Sequence, residues 1–169
     1  MMWKWIGAVL VIAGCGTVGF SMAWAHKREE RLLRNLKGAI DFMAWELQYR
    51  LTPLPELCRL VGAEQKNPVG QTFLRLSREL ESQILPDVSY CMNNTLLEGD
   101  LPKRLTEGFR LLGQNFGRFD LQGQLNGMEI VRNYCDRELE FLGKNREERL
   151  RSYQTLGLCA GAALAILFV

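Results

Sequence analysis

The feature that most constrains this chain is that both of its ends are apolar while its middle is not. Residues 5–25 carry no charged side chain. As a helix they would rise about 31 Å, which matches the apolar thickness of a bilayer. The last run, residues 153–169, would rise about 26 Å, so it is short for an isolated span and is expected to need a packing partner. The sequence therefore predicts transmembrane helices over 1–25 and 153–169.

Small residues line one face of each predicted span. Cys15 and Gly19 lie four residues apart in the first span, and Gly157, Gly161 and Ala165 recur every four residues in the second. Such spacing lets two helix backbones approach closely in lipid, so we expect the two spans to pack together. Gly and Ala are also frequent in membrane helices generally, and that alternative stays open.

Basic residues predict how the spans are oriented. Five follow the first run within residues 27–37, against only Lys4 before it, and four precede the last run within residues 144–151. By the positive-inside rule, residues 26–152 lie in the cytoplasm and both termini lie across the membrane. A cleaved signal peptide is the alternative, because Ala23–Ala25 has the small-x-small form of a cleavage site.

The region between the spans shows the apolar spacing of helices and no alternating strand pattern. The stripes of the first, third, fifth and sixth helices run over 33–51, 69–84, 101–116 and 121–142. Thr52 and Pro53 are predicted to be the N-cap and first residue of a second helix that stops at Gly62. Asn67-Pro68 is predicted to start the third helix, which continues towards Pro86. Asp87 is predicted to be the N-cap of a fourth helix that runs through Leu97. We predict an all-α, six-helix cytoplasmic bundle flanked by N- and C-terminal transmembrane helices.

Composition and motifs argue against several functional classes. The formal net charge of +2 is too near neutral for a nucleic-acid-binding surface. His26 is the only histidine, and the five cysteines are widely spaced without a CxxC pair. No phosphate-binding loop, GxSxG elbow or HExxH pair is present. We therefore predict no enzyme activity, no cofactor, no metal and no nucleic-acid partner.

Two stretches carry a resemblance to a known family. Glu46–Leu54 reads ELQYRLTPL, and Phe109–Asp120 reads FRLLGQNFGRFD, with Gln124 a turn later. Leu156-Gly157 then precedes the apolar tail. The order of these stretches along the chain resembles that in the stage III sporulation protein AB family of endospore-forming bacteria. The resemblance implies a fold shared with the type II secretion F domains of inner-membrane platform proteins in type II secretion and type IV pilus systems.

The resemblance also implies a function. It indicates a non-enzymatic scaffold in a secretion-like channel complex between mother cell and forespore, placed in the mother-cell membrane around the forespore. The implied partners are other membrane subunits of the channel, a cytoplasmic secretion-type ATPase and the lipid bilayer. Platform proteins carry two copies of the domain and this chain one, which suggests assembly with other subunits or as a homo-oligomer. A membrane-anchored adaptor or sensor unrelated to secretion is the alternative.

Six residues match the family at two interhelical turns. The first turn contains Thr52, Pro53 and Leu54, and the later turn contains Gly113, Gly117 and Asp120. We expect structural roles for them as helix caps, a fixed φ and close backbone approach. Partner docking at either turn is a further hypothesis.

Overall fold

The computed structural model describes the backbone of residues 27–82, 87–116 and 120–168, with side chains as far as Lys144. Within these residues the chain forms six α-helices and no strand. They are α1 (27–50), α2 (Leu54–Glu64), α3 (Val69–Ser82), α4 (Val88–Leu97), α5 (Lys103–Asn115) and α6 (Leu121–Phe168). The predicted all-α six-helix fold is confirmed.

Helices α1 and α6 are antiparallel neighbours joined by ion pairs. Lys37 binds Asp136, and four residues further along α1 the Asp41 carboxylate lies 3.5 Å from Arg132 Nε, four residues back along α6. The start of α1 and the long C-terminal part of α6 therefore lie at one end of the bundle, which we call the base. The α1–α2 turn and the start of α6 lie at the opposite end, the tip.

Arg104 connects three helices near the base. Its guanidinium Nη1 lies 2.8 Å from Glu138 Oε2 on α6, and its Nε lies 4.0 Å from Glu29 Oε2 on α1. The same guanidinium sits 5.0 Å from the centre of the Phe141 ring, at cation–π distance. The Tyr134 hydroxyl donates a hydrogen bond of 2.9 Å to the Arg104 carbonyl. These contacts hold α5 against the α1–α6 pair.

The core is one apolar cluster, and most residues of the stripes predicted from the sequence belong to it; Leu51 and Leu121 were predicted to face it but are exposed. Phe73 of α3 and Phe109 of α5 meet edge to face with ring centroids 5.2 Å apart at its centre. This geometry is favoured by aromatic quadrupoles. The α1 stripe is buried through Leu33, Leu36, Ile40, Met43 and Leu47, whereas Leu51, its last predicted member, lies after the end of the helix.

Gly62 was predicted to end α2, and this prediction is wrong because α2 continues to Glu64. The glycine is instead required by packing against α3. A Cβ built on Gly62 would lie 2.6 Å from Leu74 Cγ, and one on Gly70 would lie 2.3 Å from the Gln65 carbonyl oxygen. No side chain fits at those distances, so α2 and α3 approach through two glycines.

Helix ends show where local chemistry decides the boundary. Asp87 is the N-cap of α4 as predicted, accepting hydrogen bonds from the backbone N–H groups of Ser89 and Tyr90, and α4 ends at Leu97. At α2 the prediction was one residue early, because Pro53 is the N-cap and the helix begins at Leu54. Helix α3 ends at Ser82, and residues 83–86 lie outside the described part of the chain.

Helix α6 is one helix of 48 residues, from Leu121 to Phe168, and takes in nearly all of the predicted second span. Across the residues that the structure describes, no helix combines the length and hydropathy needed to cross a membrane. The predicted first span, with Cys15 and Gly19, lies outside those residues. The side chains of Gly157, Gly161 and Ala165 also lie outside them, as does the proposed packing of the two spans.

Candidate partner-binding groove

A groove of about 340 Å³ opens at the tip of the bundle. Its lining comes from the end of α1, the α1–α2 turn, the start of α2, the end of α3, the start of α4, the residue after α5 and the start of α6. The lining residues are mostly apolar: Leu47, Thr52, Pro53, Leu54, Pro55, Leu57, Leu80, Val88, Phe116 and Gln124. An apolar concavity with a few polar groups is the usual form of a binding site.

The groove brings the two predicted turns together. Thr52, Pro53 and Leu54 form one side, and Phe116, directly after α5, and Gln124 of α6 contribute to it from the α5–α6 connection. These two parts of the chain are roughly sixty residues apart in sequence. They meet because α1 and α6 are antiparallel.

Asp120 and Gly113 are not among the lining residues, and Gly113 lies inside α5 rather than in the turn that was predicted for it. Asp120 is exposed just before α6, and its Oδ1 accepts a hydrogen bond of 3.0 Å from the Gly123 backbone N–H, as expected of a helix cap. Gly113 lies behind the lining, on the α5 face that meets α4. Gly117 lies outside the described residues.

The shape of the first turn depends on an unusual backbone at Leu51. This residue has φ of 54°, in the left-handed region that usually ends a helix at glycine, although it is a leucine and two-thirds exposed. The left-handed residue reverses the chain immediately after α1. Thr52, Pro53 and Leu54 are thereby directed along the groove.

A buried carboxylate supports this turn from below. Glu46 is only 4% exposed, and its Oε2 accepts a hydrogen bond of 3.2 Å from the Thr52 hydroxyl. Its Oε1 lies 3.6 Å from Arg50 Nη1. Burying a carboxylate is costly unless it is paired, so these two contacts connect the last turn of α1 to the α1–α2 turn. Glu46 was not among the site residues predicted from the sequence. It falls three residues after Met43 in the apolar stripe, and an acidic residue at such a position indicates a buried carboxylate that needs a partner.

Exposed aromatic residues continue the site onto the outer face of α1. Trp45 and Tyr49 are each about half exposed or more, with ring centroids 5.6 Å apart, and the Arg50 guanidinium lies 5.7 Å from the Trp45 ring centre. Trp, Tyr and Arg are the residues most often found at the energetic centre of protein interfaces. This aromatic patch (Trp45, Tyr49, Arg50 and Leu51) adjoins the groove through Thr52.

Two glycines set the position of α5 behind the groove. A Cβ on Gly113 would lie 2.7 Å from Met92 Cβ on α4, and a Cβ on Gly127 of α6 would lie 2.6 Å from the Asn115 carbonyl oxygen. Close backbone approach at Gly113 is the role expected for it. Gly127 was missed, because only the folded neighbours show that it contacts α5.

The cysteines of the described region do not provide reactive groups for the groove. Cys58, Cys91 and Cys135 are free and buried. Burial raises the pKa of Cys58 to about 12, and burial, with a smaller contribution from Asp136, does the same for Cys135. Such thiols stay protonated at neutral pH and behave as small apolar side chains. No cluster of three or more metal-ligating side chains occurs among the residues that the structure describes.

The fold and the groove place this chain in the class of small all-α helical bundles that carry a concave surface at one end. Its sequence matches the profile of stage III sporulation protein AB over residues 4–169. The chain belongs to the stage III sporulation protein AB family.

Two relatives agree with this assignment. The chain is 22% identical to the stage III sporulation protein AB of Bacillus subtilis (strain 168), in an alignment covering 99% of this chain and 100% of that protein. It also resembles a solved structure of a stage III sporulation protein AB, with a TM-score of 0.61 and 18% identity, over 72% of this chain and 98% of that one. The structural likeness supports the fold.

Proposed function

We propose that this protein is a non-enzymatic membrane scaffold subunit of a secretion-like channel complex between mother cell and forespore. In this proposal it sits in the mother-cell membrane around the forespore and contacts a cytoplasmic secretion-type ATPase through its bundle. Family membership supports a role in sporulation. The channel, the ATPase and the membrane placement are the parts that the proposal adds.

The observation that carries the proposal is the position of the groove. It opens at the tip, whereas the start of α1 and the extension of α6 leave the bundle at the base. If both exits lead into one bilayer, the groove faces away from the membrane. A partner approaching from the cytoplasm would then reach the groove and its aromatic patch without displacing lipid.

The base itself suits attachment by two adjacent helices. Among the side chains that the structure describes, Leu142 is the last buried residue of α6, and the helix continues to Phe168. Helix α1 begins beside it in the opposite direction. Two neighbouring antiparallel helices are the arrangement that a membrane hairpin requires, and each span could support the other where the shorter one is a marginal insert.

The proposal is tested by purifying the tagged native protein from sporulating cells after membrane solubilisation and identifying what accompanies it. We expect other membrane subunits of the channel together with a secretion-type ATPase. Leu54→Glu, which places a charge in the groove, should reduce recovery of the ATPase. Leu97→Glu is the matched control, because Leu97 is 86% exposed at the end of α4 away from the groove.

Both variants should keep the helical circular dichroism signal and the melting temperature of the unmodified protein within a few degrees, which separates lost binding from lost folding. Recovery of the same partners by both variants would reject the groove as their docking site. Purification without any channel subunit would favour the alternative of an adaptor or sensor unrelated to secretion.

A further inference from the structure

The base of the bundle carries three exposed cations on α1. Lys27, Arg28 and Arg31 lie within the first described turns of the helix, and all three are exposed. The Arg31 Nε donates a hydrogen bond of 3.3 Å to the Lys27 carbonyl oxygen on the same helix. Among the described residues, no carboxylate lies within ion-pair distance of any of the three. We call these three residues the cationic edge.

The two glutamates of the same stretch are turned to other partners. Glu30 Oε1 lies 2.8 Å from Arg34 Nη2, and Glu29 Oε2 lies 4.0 Å from Arg104 Nε. Their side chains are only 30% and 25% exposed. Charge therefore sorts with exposure at this end of α1, because the carboxylates are engaged by arginines of the protein while the cationic edge faces solvent.

The charges of α6 at the base leave this positive excess in place. Lys144 Nζ lies 2.7 Å from Glu140 Oε1, so these two exposed side chains neutralise each other. The two stretches of chain that leave the bundle, residues 27–34 and 138–151, together hold eight lysine or arginine residues against six glutamates. The balance is positive when every charged residue of both stretches is counted.

The α4–α5 connection, which leads into Arg104, is itself balanced. Glu98 and Asp100 are exposed there, and so is Lys103. The Arg75 guanidinium is held beside them, since its Nη1 donates a hydrogen bond of 3.3 Å to the Glu98 carbonyl oxygen. Two carboxylates thus stand with two cations, and the connection does not offset the cationic edge.

The cationic edge offers charge without an apolar anchor. The large apolar side chains that are exposed on the outer face of α1 are those of Trp45 and Tyr49. They begin fourteen residues, or about 21 Å, further along the helix than Arg31. Protein interfaces are held by a buried apolar centre with charge at the rim. A surface of α1 that presents only cations suits the headgroup layer of an anionic membrane, which attracts lysine and arginine.

We propose that the cationic edge binds the headgroups of anionic phospholipids. The predicted first span ends at residue 25, two positions before Lys27, so in a membrane hairpin the edge lies at the level of the headgroups. This inference rests on the membrane placement in the proposed function and adds the class of lipid that the base selects. The ligand is the lipid headgroup and not a free phosphate ion.

The cationic edge can be neutralised without breaking an ion pair of the described bundle. Lys27→Gln, Arg28→Gln and Arg31→Gln together form the edge variant. Arg59→Gln, Lys66→Gln and Arg78→Gln form the matched control, because these exposed cations belong to α2, α3 and their connection, and their loss changes the net charge by the same amount. Both triple variants should keep the circular dichroism signal and melting temperature of the unmodified protein within a few degrees.

The test uses the complete tagged chain in nonionic detergent with equal amounts of phosphatidylglycerol and phosphatidylcholine. After affinity purification, the lipids retained by the protein are quantified by mass spectrometry. We expect phosphatidylglycerol to be retained at least about threefold over phosphatidylcholine. The ratio should approach one in the edge variant and at about 500 mM salt, and it should persist in the control variant. In detergent the orientation of the spans plays no part, so a changed topology signal does not affect the readout.

A further arm separates a lipid headgroup from a free anion. Inorganic phosphate should displace phosphatidylglycerol no better than chloride at the same ionic strength, and stronger displacement by phosphate would overturn the assignment to lipid. Equal retention of both lipids, an unchanged ratio in the edge variant or an equal loss in the control variant would also overturn the inference. The proposed function is judged separately, by the partners recovered from sporulating cells, so failure of one is distinguishable from failure of the other.

Discussion

The Thr52 hydroxyl donates a hydrogen bond of 3.2 Å to the buried Glu46 carboxylate across the left-handed residue that ends α1. This bond fixes the side of the groove that the α1–α2 turn provides. It also connects a helix end to a turn without any contribution from the rest of the core.

We expect Thr52→Val to lower the free energy of unfolding by about 1.5–3 kcal/mol, because it leaves a buried charged acceptor without its donor. Thr52→Ser keeps the hydroxyl and should cost less than about 1 kcal/mol. Urea unfolding of the complete chain in nonionic detergent, followed by tryptophan fluorescence, measures both. A loss in Thr52→Val no larger than the loss in Thr52→Ser would contradict a stabilising hydrogen bond of this size.

Leu51 offers a stabilising change. A non-glycine residue in the left-handed region costs about 1–2 kcal/mol, while glycine loses about 0.5–1 kcal/mol more chain entropy on folding. Since Leu51 is mostly exposed, Leu51→Gly should raise the free energy of unfolding by about 0.5–1 kcal/mol. Leu51→Ala retains the strained φ and is the control. A loss of stability in the glycine variant would mean that the Leu51 side chain makes contacts that outweigh the strain.

Two helix glycines should respond in opposite directions to alanine. Gly70→Ala would place Cβ 2.3 Å from the Gln65 carbonyl oxygen and 2.8 Å from the Gly62 carbonyl oxygen of α2, so α3 must move away from α2 and the connection that follows it, at a cost of about 2–3 kcal/mol or more. Gly38 of α1 has nothing within 4 Å of its Cβ position, so Gly38→Ala should add about 0.5–1 kcal/mol through helix propensity. Thermal unfolding by circular dichroism compares them. Similar melting temperatures for both variants would contradict the close approach at Gly70.

Stability should fall in alkali because of Cys58. Its pKa is about 12 in the folded protein, raised by burial from an ordinary value of 9.0. Below pH 9 the thiol is protonated in both the folded and the unfolded state, so its full contribution to the free energy of unfolding is present. Between pH 9 and 12 only the unfolded thiol ionises, so stability declines by about 1.4 kcal/mol per pH unit for this one group.

Cys58→Ala should reduce that slope by about the same amount, whatever its effect on stability at neutral pH. Urea unfolding at several pH values between 9 and 12 measures the slope for both proteins. The raised pKa values of Cys135 and Tyr134, each about 12, leave a residual decline in the variant. Identical slopes would show that the Cys58 thiol ionises within the folded bundle.

The hairpin predicted from the sequence has a register that can be tested. The Lys37–Asp136 and Asp41–Arg132 pairs define the antiparallel alignment of α1 and α6. If both helices continued in that alignment, Cys15 would lie opposite Leu158, next to Cys159. We expect copper-phenanthroline oxidation of membranes to form an intramolecular Cys15–Cys159 disulfide, seen as a faster-migrating band on non-reducing gels. Cys159→Ser should abolish the band, and its persistence there would place the cross-link elsewhere.

Features with a local cause could be predicted from the sequence, whereas features that depend on neighbours could not. The cap at Asp87 and the end of α4 at Leu97 follow from side chains beside the helix. Gly62 was predicted to end a helix because glycine often does so, but its role is set by Leu74 on another helix. For the same reason Gly127 was missed, since its contact with Asn115 becomes evident only in the folded bundle. Glu46 was missed although its partners, Arg50 and Thr52, are close to it in sequence.

The unbroken helix from Leu121 to Phe168 has a mechanical consequence. At about 1.5 Å per residue its 48 residues form a strut of about 72 Å that starts beside the groove. If a partner binds at the tip, a force applied there would be carried along this continuous helix. The C-terminal end of α6 would therefore tilt or shift together with the tip, as one rigid body.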